Sequence, residues 1–282
     1  MRNLNSYSGD DFQFYKDMID SKKKSPTDPD YKTRVTLLNT CVAKKYIEYR
    51  ACFDGNNFSL LSAHPFNNNT KTDLLKLYSF KSKIIQNLKI KITTTETKRI
   101  INTCQNCTIS EINSFDHLIP KEEFSEYAVN PKNLFPSCTK CNSYKNTKWK
   151  DQNSNPLFLN LYLDILPEQQ YLFADIKIED NVITVEFSLK NPNRIDENTF
   201  NLILSHYTEL HLLERFTENI DSVITPLENT INKFRQKLPL NEITDLIIET
   251  SEVNKLSFGH NYWKSILEIA LVTSEEFLQR FV

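Results

Sequence analysis

The chain has 282 residues and a net charge of −2, from 34 basic and 36 acidic side chains. Hydrophobic residues make up 39% and aromatics 11%, enough for a packed core, which excludes global disorder. The 3 glycines form no GxxxxGK[ST] phosphate loop, and no apolar run is long enough to cross a bilayer.

In chain order, residues 11–22 place Phe12, Phe14, Tyr15, Met18 and Ile19 at helical spacing. A loop around Pro26 and Pro29 follows, then a helix expected over 31–46. Leu74, Leu77, Phe80, Ile84 and Leu88 share one helical face, which predicts a single helix over 73–88 with Asp73 as its N-cap. Residues 1–95 thus form a mixed, partly basic N-terminal region.

Residues 96–150 read differently. Four of the 6 cysteines sit here as two Cys-x-x-Cys pairs, Cys104/Cys107 and Cys138/Cys141. Two knuckles of this spacing complete a tetrahedral four-thiolate zinc shell, and a full shell leaves no position for catalytic water. Between the pairs stand Asp116-His117, Pro120-Lys121 and Asn133-Leu134, and Asn142 follows the last cysteine. Asp116 is a hard oxygen ligand for Mg2+ or Mn2+. His117 is the side chain suited to take a proton from water near neutral pH. The carboxamide oxygen of Asn142 can join Asp116 on the metal, and Asn133 is suited to holding the histidine loop. A strand over 114–119 stopped by Pro120, a partner over 133–135 stopped by Pro136, and a helix over 139–149 capped by Ser137 would bring these groups together. Lys121, Lys145 and Lys148 are the candidate contacts to phosphate.

Residues 151–282 begin with a β-hairpin: 171–179 and 182–189 alternate apolar and polar side chains around Asp180-Asn181. Helical spacing then runs from Ile195 to about Leu213, over 220–238 and 240–253, and over 261–281. Cys41, Cys52, His206, His211 and His260 have no partner motif and read as packing or surface residues.

The segment Cys104 to Lys145 resembles the HNH endonucleases, the ββα-metal fold, in their four-cysteine zinc-binding form. The matching residues are Cys104-x-x-Cys107, Asp116-His117-x-x-Pro120, Asn133-Leu134, Cys138-x-x-Cys141-Asn142 and Lys145. The resemblance implies an α+β fold: a central ββα-metal module stapled by structural zinc, flanked by mostly helical regions and a hairpin. It implies His117 as general base, Asp116 and Asn142 as ligands of one catalytic Mg2+ or Mn2+, and Asn133 as the central asparagine. Asn142 replaces the final histidine of the family name, a common alternative there. The wording around the motif also resembles HNH effectors of bacterial antiphage loci of the Septu type, which implies an ATPase partner on another polypeptide.

Lysines at 22–24, 44–45 and 81–98 place a basic side next to the module, and acidic residues gather after it. The first suits nucleic acid, DNA ahead of RNA, and the second a protein partner. The N-terminus lacks the apolar core of an export signal, so a cytoplasmic protein with its cysteines on zinc is expected. Two function classes remain: a metal-dependent phosphodiesterase, and a zinc-stabilised adaptor that binds nucleic acid or protein without cutting. The Asp116-His117 pair favours the first, because an adaptor needs neither a base nor a hard-metal ligand.

Overall fold

Short helices, most of them capped by a side-chain oxygen, build the first part of the chain in this computed structural model, which describes residues 1–282. Asp10 accepts from the Phe12 and Gln13 N–H groups, both at 2.9 Å, and starts α1 (Asp11–Asp20), which buries Phe14, Tyr15, Met18 and Ile19. The helix expected over 31–46 is two helices, α2 (Tyr31–Thr36) and α3 (Asn39–Asp54). They part at Leu37-Leu38, where the Leu38 N–H turns back to Val35 at i−3 after the β-branched pair Val35-Thr36.

The helix expected over 73–88 is likewise two, α4 (Asn68–Leu75) and α5 (Lys83–Thr93). Their caps are Asn67 and Ser82, not Asp73. Asp73 lies inside α4, where Arg34 donates to both of its oxygens at 2.8 and 3.1 Å. An ion pair, rather than an N-cap bond, explains that aspartate.

Strand β1 (Ser114–His117) pairs antiparallel with β2 (Leu134–Ser137), His117 opposite Leu134 and Phe115 opposite Pro136. Proline was expected to stop this strand. It is accommodated because a two-stranded sheet has only edge strands, so its missing N–H leaves no ladder bond unmade. Helix α6 (Thr139–Lys145) follows, shorter than expected because Asn146 turns to φ 49°. Its cap is Cys138, whose Sγ accepts from the Cys141 N–H at 3.4 Å; Ser137 packs its hydroxyl against the Cys138 carbonyl and the Asn106 amide instead.

The hairpin β3 (Leu172–Glu179) and β4 (Val182–Leu189) turns through Asp180 and Asn181 at φ 48° and 66°. Two successive positive φ values give the type I′ turn that matches strand twist. Helices α7 (Glu197–Glu209) and α8 (Leu212–Thr217) are separated by His211 at φ 51°. Helices α9 (Asp221–Phe234) and α10 (Leu240–Phe258) follow, the latter a turn longer than expected. Helices α11 (Trp263–Val272) and α12 (Glu275–Leu278) close the chain, broken at Thr273-Ser274, where Ser274 caps α12.

The architecture is α+β, as expected. The chain divides into two units, one of residues 3–106 and 110–164, the other of 1–2, 107–109 and 165–282. The first therefore joins most of the 96–150 module to the helices before it. Its core is aromatic: Tyr49 and Tyr127 lie 4.8 Å apart and Tyr46 and Tyr127 6.1 Å apart, all three buried. The second centres on Trp263, 1% exposed and stacked on Phe216 at 5.2 Å. In that unit Gly259 has φ 111°, and a Cβ there would stand 1.8 Å from the Met1 carbonyl oxygen, so only glycine fits.

Candidate active site

The four thiols gather first. Cys104, Cys107, Cys138 and Cys141 are all buried, and their Sγ atoms lie within 4.8 Å of one another. A tetrahedral zinc shell with Zn–S bonds of about 2.3 Å needs sulfurs roughly 3.8 Å apart, so the cluster fits that ion with small inward movement. No disulfide links them. Cys41 and Cys52 are half-buried and stand outside the cluster.

Cys138 and Cys141, at the junction of β2 and α6, gather with Cys104 and Cys107, and β2 and α6 both contact β1. Asp116, His117 and Asn142 line one cleft of about 380 Å3. His117 is buried, and its Nε2 lies 2.9 Å from the Ala128 carbonyl oxygen. A carbonyl can only accept, so Nε2 carries the proton and Nδ1 keeps its lone pair. Burial lowers the His117 pKa to about 3, which keeps the ring neutral.

Asn133 braces the loop that carries Ala128. Its Oδ1 accepts from the Ile119 N–H at 2.9 Å and from the Tyr49 hydroxyl at 3.2 Å. Its Nδ2 donates to the Ile119 and Tyr127 carbonyls at 3.1 and 3.3 Å. The side chain is fully buried and spends both ends of its amide on main chain that flanks the histidine.

Asn142 sits on the first turn of α6. Its Nδ2 donates to Ser114 Oγ at 2.9 Å and reaches the Phe115 carbonyl at 3.4 Å. That commits the nitrogen and leaves the carboxamide oxygen for a cation. Asp116 is 4% exposed, and its Oδ1 stands 3.2 Å from Lys145 Nζ. Burial pushes the Asp116 carboxyl up, and the adjacent ammonium works against that shift.

Lys145 departs from its sequence reading. An exposed phosphate contact was expected, yet Lys145 is 4% exposed, pairs with Asp116 and donates to the His117 carbonyl at 2.6 Å. It falls on the inner face of α6, where a long side chain must bring its charge to a partner. Lys121 does line the cleft, paired with Glu122, and Lys148 is exposed on the far side of Asn146. In the basic run before the module, Lys89 is committed to the Ile112 carbonyl at 2.7 Å and Lys91 lies over the Tyr7 ring at 4.6 Å.

Several cleft residues carried no sequence signal of a site. Tyr78 and Phe80 come from the α4–α5 connection, and Glu122 from the loop after Pro120. Burial raises the Tyr78 phenol to about 12, with a hydrogen bond from the Phe115 backbone working the other way. Tyr49, which donates to Asn133 Oδ1, lies beyond the helix expected over 31–46.

Residues 104–148 match the family model described as HNH endonuclease. The chain carries an HNH endonuclease domain. The chain is also similar to Protein ea31 of Escherichia phage lambda, with 24% identity over 230 residues, covering 75% of each chain. No solved structure matches it significantly. The HNH domain points to nucleic acid as the substrate class, and its four-cysteine cluster is one that could bind zinc. No helix is long and apolar enough to cross a membrane.

Proposed function

We propose that the cleft of the HNH domain is the active site of a metal-dependent endonuclease that hydrolyses phosphodiester bonds, with DNA as substrate. One observation carries most of this reading: a buried imidazole, bonded through Nε2 to the Ala128 carbonyl, lines the same cleft as Asp116 and Asn142. A protein that only binds has no use for a neutral base held in one tautomer beside two hard oxygen donors.

The donor set fits one divalent ion. An Asp116 carboxylate oxygen and the Asn142 carboxamide oxygen are what Mg2+ or Mn2+ takes, and two protein ligands leave room for water and substrate oxygens. When bound there, the ion supplies charge stabilisation at the phosphate and at the leaving oxygen. His117 takes a proton from the attacking water on Nδ1. The Ala128 carbonyl steadies the imidazolium that results, since it accepts from Nε2–H. The Lys145 ammonium beside Asp116 favours the ionised carboxylate against the effect of burial. The four thiolates hold zinc with no open position and serve only to fix β2 and α6.

Within this reading, the motif wording favours an effector of bacterial antiphage defence acting with an ATPase subunit, and the acidic C-terminal helices are the partner surface. The likeness to a phage-encoded protein supports a second role, on the phage side. The test is incubation of purified protein with supercoiled plasmid, single-stranded DNA and total RNA, with and without Mg2+ or Mn2+. Nicking or linearisation of plasmid that needs the ion is expected. Intact substrate in every condition, with zinc bound and the fold intact, would favour the adaptor.

A further inference from the structure

One wall of the cleft comes from outside residues 104–148. Tyr78, in the α4–α5 connection, meets the His117 imidazole edge-on, with ring centroids 5.0 Å apart and planes at 70°. That is the edge-to-face arrangement aromatic pairs favour. Phe80 meets Phe115, the residue before Asp116, in the same way at 6.1 Å.

The connection is held from behind. Leu74 and Leu77 are each 1% exposed and anchor the end of α4. Arg34 bonds both oxygens of Asp73 and both of Asp28, and the Tyr31 hydroxyl donates to the Asp73 carbonyl at 2.9 Å. The peptide leading into Tyr78 therefore has little freedom.

A ring held by one hydrogen bond can still rock about it. The Ala128 carbonyl fixes where Nε2 lies, but the plane of the imidazole needs a second surface. We propose that Tyr78 is a positioning residue for His117: its ring, pressed edge-on, fixes the imidazole plane, so the N-terminal helices are a working part of the HNH site. The inference rests on His117 being the base. The ring does this work, and the hydroxyl is dispensable for it. Ordinary packing would make the same contact, so the two are separated by what changes when the ring is kept or lost.

The test compares Tyr78→Phe, Tyr78→Leu and Tyr78→Ala with the full-length protein on supercoiled plasmid with Mn2+, with zinc content and melting measured for each. Tyr78→Phe is expected within about twofold of the parent, whereas the leucine and alanine variants lose roughly 10- to 100-fold in kcat with KM little changed, as for a misaligned base. Tyr78→Leu keeps apolar volume and decides the matter if the alanine variant misfolds. In long-range 1H–15N spectra, the His117 ring signals stay sharp in the parent and Tyr78→Phe and broaden or shift in Tyr78→Leu. Equal loss in Tyr78→Phe, a rise in KM at constant kcat, or an unchanged His117 spectrum in Tyr78→Leu overturns the proposal. If the parent cleaves nothing, the endonuclease reading fails, and the spectra still decide the positioning claim.

Discussion

Asn133 and Ile119 are bonded in both directions: the Ile119 N–H donates to Asn133 Oδ1 at 2.9 Å, and Asn133 Nδ2 returns a bond to the Ile119 carbonyl at 3.1 Å. Neither group has access to water. Asn133→Ala leaves buried main-chain groups unpaired, each costing on the order of 1–3 kcal/mol. Denaturant unfolding should show that loss, and cleavage should fall with it as the Ala128 carbonyl loses its bracing. Asn133→Asp keeps the acceptor and loses the donor, so it should fall between. An Asn133→Ala protein of parental stability would show that the amide does not hold the loop.

The thiolate cluster makes a separate claim. Cys104→Ser or Cys138→Ser should give insoluble or protease-sensitive protein, because site formation and local folding are one event. Mild EDTA should stop cleavage reversibly while the zinc stays, since Mg2+ keeps its waters and binds loosely. Elemental analysis that finds active protein without zinc would contradict both statements.

Lys145 and Asp116 have side chains only 5% and 6% exposed. Removing one partner of such a pair leaves an uncompensated buried charge, at a cost of about 3–5 kcal/mol. Lys145→Met should therefore destabilise the fold, and Mn2+ should restore more stability to it than to the parent, because a cation at Asp116 replaces the lost ammonium. Equal responses of the two proteins to Mn2+ would argue against Asp116 as a metal ligand.

The pH dependence follows from His117. Burial depresses its folded pKa to about 3, against about 6.5 unfolded. The contribution is fully present above pH 6.5 and is lost as pH falls towards 3, because the unfolded chain takes the proton first. The slope approaches about 1.4 kcal/mol per pH unit below 6. His117→Asn cannot take that proton, so the parent should lose stability faster than the variant between pH 6.5 and 5. The difference between the two proteins removes the opposite contribution of Asp116, whose carboxyl is raised. Parallel stability curves would show that His117 is not held neutral by burial.

Much of this site was legible because its chemistry is local in sequence. Two Cys-x-x-Cys pairs, Asp116-His117 and Cys141-Asn142 are short-range patterns, and the four cysteines gather into one cluster beside them. The hairpin around Asp180-Asn181 was legible for the same reason, since its turn residues tolerate the positive φ it needs. Lys145 was misplaced because helical spacing says which residues share a face and cannot say that the face turns inward. The split of α4 from α5 was missed because Leu74 to Leu88 keep apolar spacing across the Tyr78–Ser82 bend; only Asn67 and Ser82, as caps, marked it. Tyr78 itself carried no signal, since its partner is a ring brought to it by tertiary packing.

The most direct measurement is cleavage of supercoiled plasmid by His117→Ala in Mg2+ or Mn2+, beside a check that the protein stays folded and zinc-loaded. Loss of the positioned base should lower the rate by roughly 10^2- to 10^4-fold. Cleavage at the parental rate by the alanine variant, free of contaminating nuclease, would contradict the assignment of His117 as the base.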